Sequence, residues 1–314
     1  MFPLILSPFS AIAAGLTARR VARPGFTAPV PVICCGNVTL GGAGKTTLAL
    51  DLAQHLERAG VAVHFLTRGY GGRLAGPLRV EDAHDAAAVG DEALLLAATA
   101  PTWIGADRAA SARAAIKAGA EALVMDDGMQ NPTLHKSFTF MIIDGEFGFG
   151  NGHVLPAGPL REPVQAAARR AQAAVLIGPD RHGARRLLAP ALPLLTARLV
   201  PGPEAAMLSG RRVVAFAGIA RPEKFFASLE EVRAVLVARH SYPDHHRYRP
   251  AEVARLIGEA ERLDALPVTT AKDTVRLPAA LRQRVSVLSV SLAWDDPAAL
   301  SALLSPLFPT MSRA

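Results

Sequence analysis

The residues with the clearest chemistry lie in a glycine-rich stretch between an apolar run and a helical pattern. The stretch reads VICCGNVTLGGAGKTTLAL, and Lys45 and Thr46 follow its glycines directly. Glycines let backbone N–H groups converge on phosphate oxygens, and a helix N-terminus adds a favourable dipole. The Lys then reaches the β- and γ-phosphates while the Thr hydroxyl ligates Mg²⁺. The pattern predicts a phosphate-binding P-loop made of Thr39, Gly41, Gly42, Ala43, Gly44, Lys45, Thr46 and Thr47.

One position of this stretch departs from the G-x-x-x-x-G-K-[ST] template of P-loops. Thr39 stands where the first glycine of the template belongs. The alternative is a glycine-rich turn that caps a helix and binds no nucleotide. The order of strand, GGAGKTT and helix is the context that phosphate binding requires, and it favours the P-loop.

Two carboxylates follow an apolar run where a magnesium ligand is needed. The run EALVMDDG ends in Asp126 and Asp127, and P-loop enzymes hold Mg²⁺ partly through an acidic residue at a strand end. The alternative is an Asp-Asp-Gly turn that only caps the chain locally. The upstream P-loop favours metal binding, and the sequence leaves open which carboxylate touches the ion.

Three further segments could contribute to a site. TRGYGGR presents Tyr70, which could stack on a base or a sugar ring, although a β-hairpin turn fits the spacing at least as well. VGDE places Asp91 and Glu92 at a helix start, where acidic residues usually serve the helix dipole. GFGNGHVLPAGPLREP forms a long irregular loop, and such loops inside compact domains are usually functional or disordered. Its mixture of apolar and charged residues disfavours disorder.

Composition limits the class of protein. The chain has 314 residues, 50% of them hydrophobic, which excludes disorder and allows about two domains. The net charge of +7 favours anionic partners without choosing among them. The only cysteines, Cys34 and Cys35, are adjacent, so a disulfide framework is excluded and a reducing compartment is expected.

Strand-like and helical patterns alternate along the chain, which predicts an α/β fold. We expect a P-loop NTPase-type, mostly parallel sheet with helices on both faces, followed by a second, smaller α/β domain. The stretch from Pro190 to Pro203 is rich in proline and is interpreted as a linker. The predicted domains are therefore residues 1–200 and 201–314.

The N-terminus predicts a short amphipathic helix over about residues 8–20. Ser7 suits the N-cap, Pro8 suits the first helical position, and the apolar side chains fall on one face. These are Phe9, Ile12, Ala13 and Leu16, with Arg19, Arg20 and Arg23 at or beyond the helix end. The face could lie on a membrane or pack on the protein's own core. The apolar run is shorter than roughly 18 uninterrupted residues and precedes its charges, so we expect neither a spanning helix nor a secretory signal.

The motifs, taken in order, resemble the tetraacyldisaccharide 4′-kinase family, the lipid A 4′-kinases. The resemblance covers about Val30 to Leu277 and rests on GNVTLGGAGKTT, RGYGGR, VGDE, DDGMQ, the GFGNG…LPAGPLREP block, FAGIARPEKFF, PDHH and VTTAKD. The family carries Thr at the position of Thr39. This chain departs from it mildly, with Ala43 and Thr47 where Thr and Pro are frequent, and with Ala271 where Glu is frequent. Because of the last difference, no role is assigned to VTTAKD.

The resemblance implies transfer of the ATP γ-phosphate, with Mg²⁺, to the 4′-hydroxyl of tetraacyldisaccharide 1-phosphate in lipid A biosynthesis. The implied location is the cytoplasmic face of the inner membrane of Gram-negative bacteria, where the protein is peripheral. Acyl chains that stay in the bilayer favour the membrane role of the N-terminal helix, which we expect to lie on an anionic surface without crossing it.

The resemblance also implies roles for single residues. Asp91 of VGDE corresponds to the base side of a catalytic dyad, and His245, the first His of PDHH, to its partner. Without the resemblance, PDHH is compatible with a metal cluster, but a polar turn is the favoured interpretation. Asp126, Asp127 and Glu162 fall on positions implicated in metal and phosphate handling. Candidate contacts to substrate or phosphate are Tyr70, Arg108 and Arg161.

A rival interpretation from another class is a membrane-associated ATPase switch of the deviant P-loop type. Its K-G-G-x-G-K-T-T motif requires Lys where this chain has Leu40, and it gives no reason for LPAGPLREP. A nucleic-acid binder is supported by charge alone, because basic-aromatic interleaving for base stacking is missing. We therefore expect no nucleic-acid partner and no obligate protein partner.

Overall fold

A computed structural model of the chain describes residues 2–308, so Met1 and residues 309–314 of the predicted domains lie outside the described part. The strands are β1 (Val32–Gly36), β2 (Val63–Thr67), β3 (Leu78–Arg79), β4 (Thr102–Ile104), β5 (Ala122–Asp126), β6 (Phe138–Asp144), β7 (Ala173–Ile177), β8 (Leu194–Pro201), β9 (Arg212–Ala217), β10 (Val235–Ser241), β11 (Leu266–Thr270), β12 (Ser286–Leu288) and β13 (Val290–Trp294). The helices are α1 (Phe2–Val21), α2 (Lys45–Arg58), α3 (Ala86–Val89), α4 (Asp91–Ala97), α5 (Arg108–Lys117), α6 (Val164–Ala168), α7 (Ala205–Leu208), α8 (Pro222–Glu231), α9 (Pro250–Arg262), α10 (Ala271–Thr274), α11 (Ala279–Arg282) and α12 (Pro297–Leu304).

The larger sheet has nine strands in the order β13-β8-β7-β6-β1-β5-β2-β4-β3. Its strands are parallel except for the β13–β8 and β3–β4 pairs at the two edges. β1, β5 and β7 are buried along their whole length because helices cover both faces. Side chains of α2 pack on one face, and side chains of α5 and α6 pack on the other. The predicted fold class is confirmed.

The smaller sheet has four parallel strands in the order β10-β9-β11-β12. Helix α8 packs against one face of this sheet through Phe225, Phe226 and Leu229. Helix α9 packs against the other face through Val253 and Leu256. We call the nine-stranded sheet with its helices (residues 2–201 and 290–308) the large unit. The four-stranded sheet with its helices (residues 202–289) is the small unit.

The interpretation of the proline-rich stretch as a linker is wrong. It contains β8, which pairs with β7 and β13 and buries Leu195 and Ala197 in the core of the large unit. The prolines stand at the strand's ends, where a missing N–H disturbs the ladder least. Local composition suggested a linker, whereas pairing with distant strands decides the structure.

The C-terminal segment returns to the large unit. β13 pairs with β8, and Leu300 and Leu304 of α12 enter the same core as the buried leucines of α2. The division at residues 200 and 201 stays a prediction. The arrangement of the sheets differs from this division at the C-terminal end, where residues 290–308 bury their apolar side chains in the large unit.

The first helix is longer than predicted. It begins at Phe2 and carries Pro8 in its interior, so the prediction of Ser7 as N-cap is wrong. Pro8 has no N–H and so cannot donate the hydrogen bond that another residue would make at this helical position. Within residues 2–308, none of the helices has both the length and the apolar content that crossing a bilayer takes.

The large apolar side chains of α1 face away from the protein. Phe9, Ile12 and Leu16 are 60%, 61% and 62% exposed, while Ala13 and Ala14 pack on the core. Ser10 is buried on the packed side, where its Oγ donates to the carbonyl of Val154 at 2.7 Å. The alternative that the whole apolar face packs on the protein's own core is wrong for these three large side chains.

Candidate active site

The glycine-rich stretch forms a loop from the end of β1 to the start of α2. Gly44 precedes Lys45 with φ +88°, and a Cβ there would lie 2.7 Å from Ile177 Cδ1. Glycine alone adopts this backbone without strain and without that clash. The loop therefore delivers Lys45 and Thr46 to the first turn of α2, as the motif predicts.

The LPAGPLREP segment holds the same loop from its other side. Leu40 N donates to the carbonyl of Pro159 at 2.9 Å, and Arg161 N donates to the carbonyl of Val38 at 2.7 Å. The side chain of Asn37 donates to Thr39 Oγ1 at 3.0 Å. These bonds give the irregular segment a structural task that its sequence did not reveal, because they fix the loop's path.

Asp126 meets Thr46 at the carboxyl edge of the sheet. β1 and β5 are parallel neighbours, so their ends lie together, and Thr46 Oγ1 donates to Asp126 Oδ2 at 3.0 Å. Burial raises the pKa of Asp126 to about 7, and the charge of Glu92 adds to the effect. Its Oδ1 is buried without a hydrogen-bond partner within residues 2–308. A hard divalent cation such as Mg²⁺ fits this donor set of a hydroxyl and an unsatisfied carboxylate oxygen.

The other two predicted metal-site carboxylates are paired with arginines. Arg161 donates to both oxygens of Asp127, at 2.7 and 3.1 Å, and Lys45 Nζ lies 3.8 Å away. Arg170 donates to both oxygens of Glu162, at 2.8 and 2.7 Å. Across the described chain, no group of three or more His, Cys, Asp and Glu side chains is arranged to hold a metal. Metal binding by Asp127 and Glu162 stays a prediction.

The charge state of Asp127 follows from these contacts. Burial acts to raise the pKa of its carboxyl, but the charges of Lys45 and Arg161 outweigh burial and lower it. Asp127 is therefore ionised where its neighbour Asp126 is held closer to neutrality. The adjacent carboxylates thus have different surroundings. Asp127 balances the charges of Lys45 and Arg161, whereas Asp126 keeps one oxygen without a hydrogen-bond partner among the described residues.

Asp91 and His245 come together although they belong to different units. Asp91 is the first residue of α4 and is 4% exposed, and His245 lies in the loop after β10. His245 Nδ1 lies 2.9 Å from Asp91 Oδ2. The two residues predicted to form a dyad are therefore in hydrogen-bond contact at the junction of the units.

Electrostatics keep this pair charged. Burial acts to raise the pKa of Asp91, but the hydrogen bond with His245 and the charges of Lys272 and Arg276 lower it on balance. The hydrogen bond to Asp91 raises the pKa of His245, against burial and the charge of Lys272. The pair therefore stays an imidazolium facing a carboxylate to a higher pH than a free histidine would stay protonated.

Tyr70 lies beside the pair. Its ring centre is 5.8 Å from that of His245 in an edge-to-face arrangement, and the side chain is 65% exposed. A Cβ at Gly90 would lie 2.4 Å from the carbonyl oxygen of Tyr70, so glycine lets the TRGYGGR loop pack against VGDE. The hairpin alternative for this loop is wrong, because β2 pairs with β4 and β5.

Arg108 is less accessible than a substrate contact requires. It is 2% exposed and donates to the carbonyl of Gly105, and burial lowers its pKa to about 10. Its role in phosphate binding stays a prediction. Arg161 is half-buried and already bound to Asp127.

Several cations at the junction were missed by the sequence analysis. Arg221 donates to Asp144 and, at 3.2 Å, to the carbonyl of Gly42 in the P-loop. Lys224 lies 2.5 Å from Glu146. Both cations stand at the start of α8, where the helix dipole disfavours positive charge. Positive charges at a helix start could have indicated from the sequence that acidic residues elsewhere in the chain pair with them.

Comparison with known proteins gives consistent matches over nearly the whole chain. A family model described as tetraacyldisaccharide-1-P 4′-kinase matches residues 2–308. The chain is 56% identical over 307 residues to a tetraacyldisaccharide 4′-kinase of Rhodospirillum centenum, covering 96% of this chain and 91% of that one. It is 58% identical over 301 residues to the protein of the same name from Gluconacetobacter diazotrophicus, covering 96% and 92%.

A solved structure shares the fold. A crystal structure of LpxK from Aquifex aeolicus in complex with ATP superposes with a TM-score of 0.77 at 24% identity, and the match covers 98% of this chain and 100% of that one. At this level of identity the likeness concerns the fold.

The charged Asp91–His245 pair predicts the titration of His245. Because the pKa of His245 is raised, its attraction to Asp91 is complete below the ordinary histidine pKa of 6.5. The attraction is lost as the pH rises through the raised pKa. In Asp91→Asn, the pKa of His245 should fall, because the hydrogen bond that raises it is weakened, and NMR of the imidazole signals would follow the change. Asp244→Asn is the matched control, since that carboxylate lies 3.8 Å from Nε2. An equal shift in both variants would contradict the pairing.

Proposed function

The chain belongs to the tetraacyldisaccharide-1-P 4′-kinase family, and from that premise we propose how its residues perform the reaction. The protein is an ATP-dependent kinase that phosphorylates the 4′-hydroxyl of tetraacyldisaccharide 1-phosphate in lipid A biosynthesis. The rival interpretation as an ATPase switch is set aside, since the family match runs through all the motifs. The observation that carries the proposed mechanism is the 2.9 Å contact between Asp91 and His245 at the junction of the two units.

The P-loop binds the triphosphate of ATP. Its backbone N–H groups and Lys45 meet the phosphate oxygens, as the positive end of α2 favours. Thr46 and Asp126 would hold Mg²⁺, which neutralises charge on the β- and γ-phosphates when it is bound. Arg161, through its bond to Asp127, keeps that carboxylate beside Lys45. The loop is thereby shaped before nucleotide binds.

Asp91 takes the proton of the attacking hydroxyl, with His245 as its partner. A carboxylate with a lowered pKa is a weak base, so the proton moves late in a loose transition state. The ring of His245, whose Nδ1 lies 2.9 Å from Asp91 Oδ2, orients the carboxylate that accepts the proton. Tyr70, beside His245 and largely exposed, is available to stack on the sugar of the substrate.

The N-terminal helix brings the site to the membrane surface. Its exposed Phe9, Ile12 and Leu16 support insertion of one face into the headgroup region, and the exposed Arg19 and Arg20 suit anionic lipids. A cavity of about 370 Å³ lies between α1 and residues 152–165. Its mainly apolar lining suits part of an acyl chain. We place the protein peripherally at the cytoplasmic face of the inner membrane.

Loss of the P-loop cation should remove activity. In Lys45→Ala, formation of bisphosphorylated lipid from labelled ATP and disaccharide 1-phosphate in detergent should fall by about 10²-fold or more, since charge stabilisation dominates phosphoryl transfer. Lys117→Ala, which removes an exposed lysine at the end of α5, serves as the matched control. Wild-type kcat in Lys45→Ala would remove the basis of the P-loop assignment.

Removal of the exposed apolar face of α1 should release the protein from membranes. Phe9→Asp with Leu16→Asp should shift the protein to the supernatant when it is sedimented with anionic vesicles, because the buried apolar area is replaced by charge. Turnover of detergent-solubilised substrate should survive. Leu199→Asp with Met207→Asp, two exposed apolar residues outside α1, is the control and should still sediment. A variant that remains bound, or that unfolds, is incompatible with α1 as the membrane contact.

A further inference from the structure

The VTTAKD segment, to which the family resemblance assigned no role, ends in a completely buried carboxylate. Asp273 is 0% exposed, and its Oδ1 accepts hydrogen bonds from Gly218 N at 2.9 Å and from Tyr248 OH at 2.8 Å. Its Oδ2 accepts from Thr270 Oγ1 at 2.6 Å. A buried carboxylate costs free energy unless it is paired and hydrogen-bonded, so such a set of donors indicates a defined task.

The cation that pairs with this carboxylate is Arg276. Its side chain is 3% exposed, and its Nη2 donates to Asp273 Oδ1 at 2.8 Å. The same nitrogen donates to the carbonyl of Gly218 at 2.9 Å, and Nη1 donates to the carbonyl of His246 at 3.3 Å. A planar guanidinium with five donors suits such a fixed set of acceptors better than a flexible ammonium.

Arg276 contacts both sides of the Asp91–His245 pair. Its Nε lies 3.5 Å from Asp91 Oδ2, the oxygen that also faces His245 Nδ1. The carbonyl of Gly218, which accepts from Arg276, also accepts from the backbone N–H of His245 at 3.1 Å. The guanidinium therefore links the carboxylate of the large unit to the backbone that carries the imidazole of the small unit.

We propose that Arg276, held by Asp273, is a positioning residue that sets the geometry of Asp91 and His245 for phosphoryl transfer. The inference rests on the proposed roles of that pair. Arg276 is too deeply buried to touch the substrate, so it acts through Asp91. The pKa of Asp91 is lowered chiefly by the hydrogen bond with His245 and the charge of Lys272, and the charge of Arg276 adds to them. Lys272 is in turn paired with Glu92 at 3.3 Å.

The test replaces the guanidinium by an ammonium. Arg276→Lys keeps the charge but cannot reach Asp91, Asp273 and both backbone carbonyls together. We expect kcat to fall about 10- to 100-fold, as a displacement of about 1 Å at a catalytic pair would produce. The KM for ATP should stay within about 2-fold, since the P-loop is untouched. Arg284→Ala is the matched control, because Arg284 pairs with Glu261 on the surface of the same unit, and it should leave kcat unchanged.

A double-mutant cycle separates positioning from a purely structural effect. If Arg276 acts through Asp91, adding Arg276→Lys to Asp91→Asn should lower kcat less than about 2-fold further, because residues that act as a unit are non-additive. An equal loss in both backgrounds, or wild-type kcat in Arg276→Lys alone, would overturn the proposal. Wild-type kcat in Asp91→Asn alone would instead contradict the proposed dyad.

Tyr248→Phe gives a second, gentler variant should the melting curve of Arg276→Lys reveal an unfolded protein. It removes only the hydroxyl that donates to Asp273 and keeps the ring that packs against Phe216. A smaller loss of kcat that disappears in the Asp91→Asn background supports positioning through Asp273 and Arg276. A loss that persists there contradicts it.

Discussion

A hydrogen bond between two charged side chains joins the units on which the site depends. Asp91 comes from the large unit and His245 from the small one, and the same junction contains the pairs Arg276–Asp91, Lys272–Glu92 and Arg221–Asp144. The hydrophobic clusters of the described chain each lie within one unit. At this junction the units therefore meet mainly through charged and polar groups, and the strength of each ion pair depends on its geometry and burial.

The phosphate end of the site depends on a different constraint, the shared edge of parallel strands. β1 and β5 end side by side, so the P-loop and the Asp126–Asp127 turn must lie together. The irregular segment around Pro159 then fixes the loop through backbone hydrogen bonds, and Arg161 ties the segment to Asp127. Phosphoryl transfer needs mainly positioning and charge stabilisation. The groups at this edge of the sheet can supply both.

Sequence reasoning succeeded where local patterns determine structure. Buried apolar runs predicted the central strands, and the glycine pattern predicted the loop before Lys45. It failed where distant pairing decides, as in β8, whose proline-rich sequence suggested a linker. Nothing in the sequence indicated the pairing of β13 with β8. Asp91 alone resembled an ordinary helix-start acid, and only the family resemblance connected it with His245, 154 residues away. Arg276 gave no local signal, and VTTAKD marked Asp273 without a role, because the roles of both residues come from contacts that the fold creates.

The central claim is that Asp91 and His245 act as one unit in the transfer step. Its most direct test is kcat for the single variants Asp91→Asn and His245→Ala and for their combination, measured with detergent-solubilised disaccharide 1-phosphate at saturating ATP. The account predicts that each single variant lowers kcat, and that the double variant loses much less than the product of the two single losses. Losses that multiply fully would show two independent residues and would contradict the account.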